Sequence, residues 1–184
     1  MMKNKFAWIF FSIIAIIVIF IVLWNIKENR FYNSPFIKYK YPETIKVHNG
    51  TNFSKADTIV LTLANKIFKI DTAEIFIYYI PEHLNSESMQ FYGIVQQSEF
   101  DSKKFIIFVN KKLSTKDLLE TLSHEFVHID QYNRGDLKIV DNYFIWRGDT
   151  FNMRDVKYEY RPFEKEAFSK QSYIIKKLVK SLYN

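Results

Sequence analysis

Hydrophobic residues change rhythm several times along this 184-residue chain, and each rhythm predicts a different element. From Phe6 to Trp24 the chain is uncharged and has no polar face. As a helix this run spans about 28 Å at about 1.5 Å per residue, close to the hydrocarbon thickness of a bilayer. Trp8 and Trp24 lie near its ends, and Lys3, Lys5, Lys27 and Arg30 flank it. The run therefore predicts a transmembrane anchor at 6–24 behind a short tail at 1–5. A cleaved signal peptide would have a shorter core followed by small residues, and Asn25–Phe36 offers only Ser34. The flanking charges favour the N-terminus inside and the following domain outside the cytoplasm. No rhythm persists from Asn25 to Phe53. Pro35, Pro42, Asn49-Gly50 and scattered aromatics predict a tether at 25–53, with His48 as a surface-loop histidine.

A folded domain is expected over 54–184. Ser54 and Asp57 read as the cap and third-residue acid of a helix to about Ile70, with Ile59, Leu63 and Ile67 on its buried face. Ala73–Ile80, Phe91–Gln97 and Lys104–Asn110 are rich in Ile, Val, Phe and Tyr and predict three strands, the last two joined as a hairpin. His83, in the loop before the second, reads as surface. The unbroken apolar run Phe105–Val109 suggests a strand covered on both faces. Apolar residues at three- and four-residue spacing return at Leu118, Leu119, Leu122, Phe126 and Ile129, behind a Ser114–Asp117 cap and ahead of Gly135. Tyr143–Trp146 and Thr150–Met153, around Arg147-Gly148-Asp149, predict a hairpin, and a last helix starts at Pro162 and runs to about Leu182. Its apolar face is expected from Phe163, Ala167, Phe168, Ile174, Ile175, Leu178 and Leu182. The fold class is α+β: helix, small three- to four-stranded sheet, helix, hairpin, helix, preceded by one transmembrane helix.

Composition narrows the chemistry. The chain is 48% hydrophobic with only 4 Gly and 4 Pro, which suits a packed core and argues against disorder. The net charge of +6 is spread without a dense basic run, so no nucleic-acid partner is expected. Cysteine is absent, which excludes disulfides and thiolate ligands. A zinc ion would have to be held by His, Asp or Glu.

The helix at 114–133 carries His124-Glu125-Phe126-Val127-His128. Two histidines four apart lie on one helical face and can bind one metal together, with the glutamate beside the first within reach of a water there. At about 100° per residue, His124, His128 and Gln131 fall on a different side from the apolar stripe. A catalytic zinc needs a third protein ligand. The glycine and third histidine of an extended metzincin pattern are replaced by Gln131 and Arg134, and no histidine follows His128. A carboxylate must complete the set. Glu164 lies near the middle of the last helix's apolar face, and Glu166 is about 160° away. A lone buried carboxylate is costly, so a metal would explain Glu164. Glu166 reads as solvent-exposed and paired with Lys170. Ala167 is small enough for close approach of the two helices.

These residues resemble the glutamate-zincin arrangement, H-E-x-x-H followed by E-x-x-A. The string His124–Tyr132 with Tyr160-Arg161-Pro162-Phe163-Glu164-Lys165-Glu166-Ala167 is most similar to small phage-like and bacterial putative metallopeptidases. The similarity covers about 114–171 and leaves out 1–53. Phe168 stands where the related prenyl-protease-like group has Asp or Asn. The resemblance implies a zincin-like domain with Zn2+ on His124, His128 and Glu164 and Glu125 as general base. The implied activity is hydrolysis of a peptide or protein substrate, which the anchor predicted at 6–24 would place beside the membrane. Gln131, Tyr158, Tyr160 and Arg161 are candidates for supporting the ligands or steadying an oxyanion. The strand at 104–110 is expected, by analogy, to be the edge that receives the substrate. The alternative is a catalytically silent binding module of the same fold, with Lys165, Lys170, Lys176, Lys177 and Lys180 as its contact face.

Overall fold

The structure, a computed structural model, describes residues 3–36, 41, 43–81 and 92–183, and within the first helix the side chains of Ile14 and of residues from Ile16 onward. That helix, α1 (Lys3–Asn33), belongs to a first compact unit ending at Pro35; a second unit begins at Phe36. Among the described residues no helix is long and apolar enough to cross a membrane. Side chains 6–13 and 15 of the predicted 6–24 span lie outside the described residues, as does His83.

The second unit is α+β, as the hydrophobic rhythms predict. Its elements are β1 (Ile45–Asn49), α2 (Ala56–Thr62) continued by a π-helical turn (Leu63–Phe68), β2 (Ala73–Tyr79), β3 (Gly93–Gln97), β4 (Lys104–Val109), α3 (Thr115–Asn133), β5 (Leu137–Val140), β6 (Tyr143–Trp146), β7 (Asp149–Asn152), a 3₁₀ turn (Tyr158–Tyr160) and α4 (Pro162–Tyr183). One sheet has the order β1-β2-β4-β3, with β1, β2 and β4 parallel and β3 antiparallel to β4. The other is the meander β5-β6-β7.

Several expectations change. The segment read as a tether contributes β1, paired parallel with β2 from Ile45↔Ala73 to Asn49↔Ile77. Ile45 and Val47 alternate with polar neighbours, a pattern too short to stand out before Ala73–Tyr79 supplies a partner. His48 is thus a strand residue, half-exposed, with Nε2 3.0 Å from Glu74 Oε1. Ser54 does not cap α2. Lys55 holds the cap position without a side-chain bond. The entry is ordered instead by Asn49, whose Oδ1 accepts from the Thr51 N–H at 2.9 Å and whose Nδ2 donates to the Phe53 carbonyl at 3.0 Å. The π turn then shifts the apolar face. Ile59, Val60, Leu63 and Ala64 are buried, Ile67 is only half-buried, and Phe68 reaches Phe126 on α3 at 5.8 Å.

β4 is neither an edge nor covered on both faces. It lies between β2 and β3, because the parallel β2–β4 pairing takes one side and the β3–β4 hairpin the other. Phe105, Ile107 and Val109 are buried together with Ile75 and Ile77, while Phe76, Tyr78 and Phe108 form a partly exposed row across the opposite face. The antiparallel edge is β3. β5 had no sequence counterpart; its four residues carry one buried side chain, Leu137. The predicted 147–148 turn is present, with Arg147 and Gly148 both at positive φ (51° and 95°), the mirror-image turn that suits a twisted hairpin. Phe144 on β6 is fully buried and packs edge-on against Phe163 at 5.1 Å, which ties the meander to the start of α4.

Candidate metal centre

α3 and α4 build the site. α3 begins where expected. Ser114 Oγ accepts from the Asp117 N–H at 3.2 Å, and Asp117 returns a bond to the Ser114 N–H at 3.3 Å, a complete capping box. Leu118, Leu119, Leu122, Phe126 and Ile129 are all buried. They fix the helix so that its second buried face, carrying His124, His128 and Gln131, turns toward α4. Pro162 opens α4 and Phe163 anchors it, which leaves Glu164 in the first turn and buried.

His124 Nε2 lies 3.1 Å from Glu164 Oε2, His128 Nε2 lies 3.4 Å from the same oxygen, and the two Nε2 atoms are 3.3 Å apart. Zinc with arms of about 2.0–2.1 Å in tetrahedral directions places its ligand atoms about 3.3–3.4 Å from each other. The donor set and its spacing therefore fit a zinc-sized ion, and His124, His128 and Glu164 form a buried group that could hold a metal. Two nitrogens and a carboxylate oxygen crowded without a cation would leave lone pairs facing one another unless protons intervene, and a metal satisfies all three.

The electrostatics follow. Burial pushes Glu164 up, but hydrogen bonds from His124 and His128, the positive charge on His128 and a bond from the Tyr158 hydroxyl outweigh it and hold the carboxyl at about 2. Burial drives His128 down, and the Glu164 bond with the negative charge of Glu125 and Glu164 raises it on balance. Glu125 is raised: desolvation is the largest influence, opposed by His128 and His124 and by the Val95 N–H, which donates to the carboxylate. Glu125 thus touches the outer strand. Gly93 at the start of that strand allows the contact, since a Cβ there would stand 2.4 Å from Thr121 Cγ2 and 3.1 Å from Glu125 Oε1.

No family profile, curated protein or solved structure matches this chain.

The remaining candidates divide. Gln131 is fully buried; its Oε1 accepts from His128 Nδ1 at 2.8 Å, so it does support a histidine of the site. Tyr158 reaches Glu164 through its hydroxyl although the residue as a whole is 45% exposed; burial and the negative Glu164 keep its phenol well above the usual range. Arg161 is not at the site. It donates to the Val156 and Met153 carbonyls at 3.3 and 3.1 Å and stacks over Tyr158, which makes it a staple of the preceding turn. Tyr160 is exposed, with Lys165 over its ring.

Two neighbours stand differently from what the sequence predicts. Phe168, expected on the buried face, is 54% exposed and rests its ring 4.6 Å from that of His124, as a half-open aromatic wall. Glu166, expected in solvent, is largely covered. Its pairing with Lys170 is present, but it also accepts from Gln131 and Arg134. A run of alternating charges cannot reveal which acid meets a helix that is 35 residues earlier in the chain.

Proposed function

We propose that this chain is a zinc-dependent peptidase, with Zn2+ on His124, His128 and Glu164. The observation that carries the reading is that these three atoms converge at metal-ligand spacing with a second buried carboxylate, Glu125, beside them. When bound, zinc supplies Lewis acidity toward a water and toward the carbonyl to be attacked. The chain's own groups do the rest. Glu125, raised by its desolvated setting, takes the proton of the attacking water and passes it to the leaving amine. Tyr158, kept protonated beside Glu164, holds that ligand in place through its hydroxyl.

Substrate binding belongs to β3 rather than to the strand at 104–109. An extended peptide adding along the outer edge of β3 would lie next to Glu125, whose carboxylate takes the Val95 N–H on that strand. Phe168 then offers an aromatic surface beside His124. A zincin-like fold and an anchor at 6–24 with the domain outside the cytoplasm belong to the same proposal. Protease protection of the domain in sealed vesicles tests that orientation.

Glu125→Gln tests the chemistry. It removes the base and keeps the size, so zinc content is expected to be unchanged while hydrolysis falls by about 100-fold or more. A zinc-loaded wild type that cleaves nothing in a diverse peptide library would leave the silent binding module as the better reading.

A further inference from the structure

Gln131 holds His128, and something must hold Gln131. Its side chain is wholly buried and makes three contacts: Oε1 faces His128 Nδ1 at 2.8 Å, and Nε2 faces the Phe163 carbonyl at 2.9 Å and Glu166 Oε2 at 3.1 Å. The Phe163 carbonyl cannot donate, and the Glu166 carboxylate, paired with three cations, only accepts. If the amide were turned over, its oxygen would meet a carbonyl and a carboxylate, and its NH₂ would force His128 Nδ1 to accept. A neutral His128 would then carry its proton on Nε2, the nitrogen that faces His124 and Glu164. In the observed orientation the Nδ1–H donates, so a neutral His128 keeps the Nε2 lone pair for a metal, whose charge would take the place of the proton that Nε2 otherwise directs at Glu164.

We infer that Glu166 is a positioning residue: by accepting from Gln131 it fixes the amide that fixes the ring and protonation of His128. The inference rests on the zinc-site reading above. Glu166 is itself clamped. Arg134 Nη2 lies 3.1 Å from Oε1 and 3.4 Å from Oε2, Arg147 Nη2 lies 3.9 Å from Oε2, and Lys170 pairs with Oε1. Arg134 is held in turn by Asp130 at 3.2 Å and Asp136 at 3.1 Å. The closest cation contacts are on Oε1, and on Oε2 the Gln131 contact at 3.1 Å is shorter than either arginine's. α4 therefore supplies one ligand, Glu164, and two residues later the acid that orients a ligand on α3.

The test is a double-mutant cycle on the full chain: wild type, Glu166→Ala, Gln131→Met and the pair. Two quantities are read, zinc affinity by chelator competition and solvent exchange of the His128 Nδ1–H by NMR in the zinc-loaded protein. Glu166→Ala is expected to weaken zinc by about 10-fold or more and to speed that exchange. In the Gln131→Met background it should add almost nothing, because its route is already cut. Lys170→Met removes an ion pair but leaves the Gln131 contact, so it should leave both readouts near wild type. Should Glu166→Ala fail to fold, Glu166→Gln keeps one acceptor oxygen and is expected to keep the slow exchange. Loss in Glu166→Ala that is additive with Gln131→Met, or equal loss in Lys170→Met, overturns the relay and leaves Glu166 a general stabiliser. Wild-type zinc binding with unchanged affinity in Glu166→Ala overturns the relay alone. Absence of zinc binding by wild type overturns the metal site and the relay with it.

Discussion

Glu125 and Glu164 are buried carboxylates beside the same two histidines, and their surroundings push them in opposite directions. Glu125 is dominated by desolvation and raised, whereas Glu164 has the histidine bonds and is held at about 2. The division is set by environment rather than residue type, and under the proposed function it leaves one suited to take a proton and the other to stay ionised as a ligand. Glu166 adds a third case. Burial pushes it up, but Lys170, Arg134 and Gln131 outweigh this and hold it below the ordinary carboxylate value. A lowered folded-state value means that its contribution to stability is present above the unfolded value, about 4.3, and is lost as pH falls through the folded one. The melting temperature of wild type over Glu166→Gln is therefore expected to be highest near neutrality and to shrink below about pH 4. A gap that widens on acidification would contradict the ion cluster.

At the scale of elements, the contact of β3 with α3 depends on one missing methyl. Gly93→Ala would drive a Cβ to 2.4 Å from Thr121 Cγ2, an overpacking expected to cost about 1–3 kcal/mol. Because the same strand bonds Glu125, hydrolysis should suffer with stability, and Thr121→Ser, which removes the nearest methyl, should recover stability more fully than hydrolysis, since the new Cβ still crowds Glu125 at 3.1 Å. Denaturant melts and peptide cleavage of the two variants and their pair check this. The capping box makes a simpler claim: Ser114→Ala is expected to cost about 1 kcal/mol, read as a shift in denaturant midpoint. α3 was legible from sequence because its cap, stripe and terminal glycine are all local. The extent of α4 was legible for the same reason and helical phase put Glu164 inside, but phase misjudged Glu166, which meets Gln131 on α3, and Phe168, which is exposed. β1 and β5 were not, since neither carries a local turn signal like the Arg147-Gly148 that marked β6 and β7, and each is defined only by the strand it pairs with. The edge position went to β3 because strand order comes from pairing, which alternation of apolar residues does not encode.

For the molecule as a whole, the site is a clamp between two helices that meet across 40 residues of chain. A ligand that binds only the folded state stabilises it in proportion to its concentration over its dissociation constant. Chelation is expected to lower the melting temperature of wild type and to leave Glu164→Ala unmoved, which calorimetry can read. The grouping of His124, Glu125 and His128 was legible because they share one stretch of helix. The surroundings that support it, Gln131 with Glu166 and Val95 with Glu125, arise only when the α3–α4 and α3–β3 contacts form. The central claim is that Glu125 works on a zinc held by His124, His128 and Glu164. It is tested most directly by digesting a peptide library with the zinc-loaded full chain and with Glu125→Gln at equal zinc content. Cleavage by wild type that is abolished by chelator and by Glu125→Gln is the predicted result; undiminished cleavage by Glu125→Gln would contradict the account.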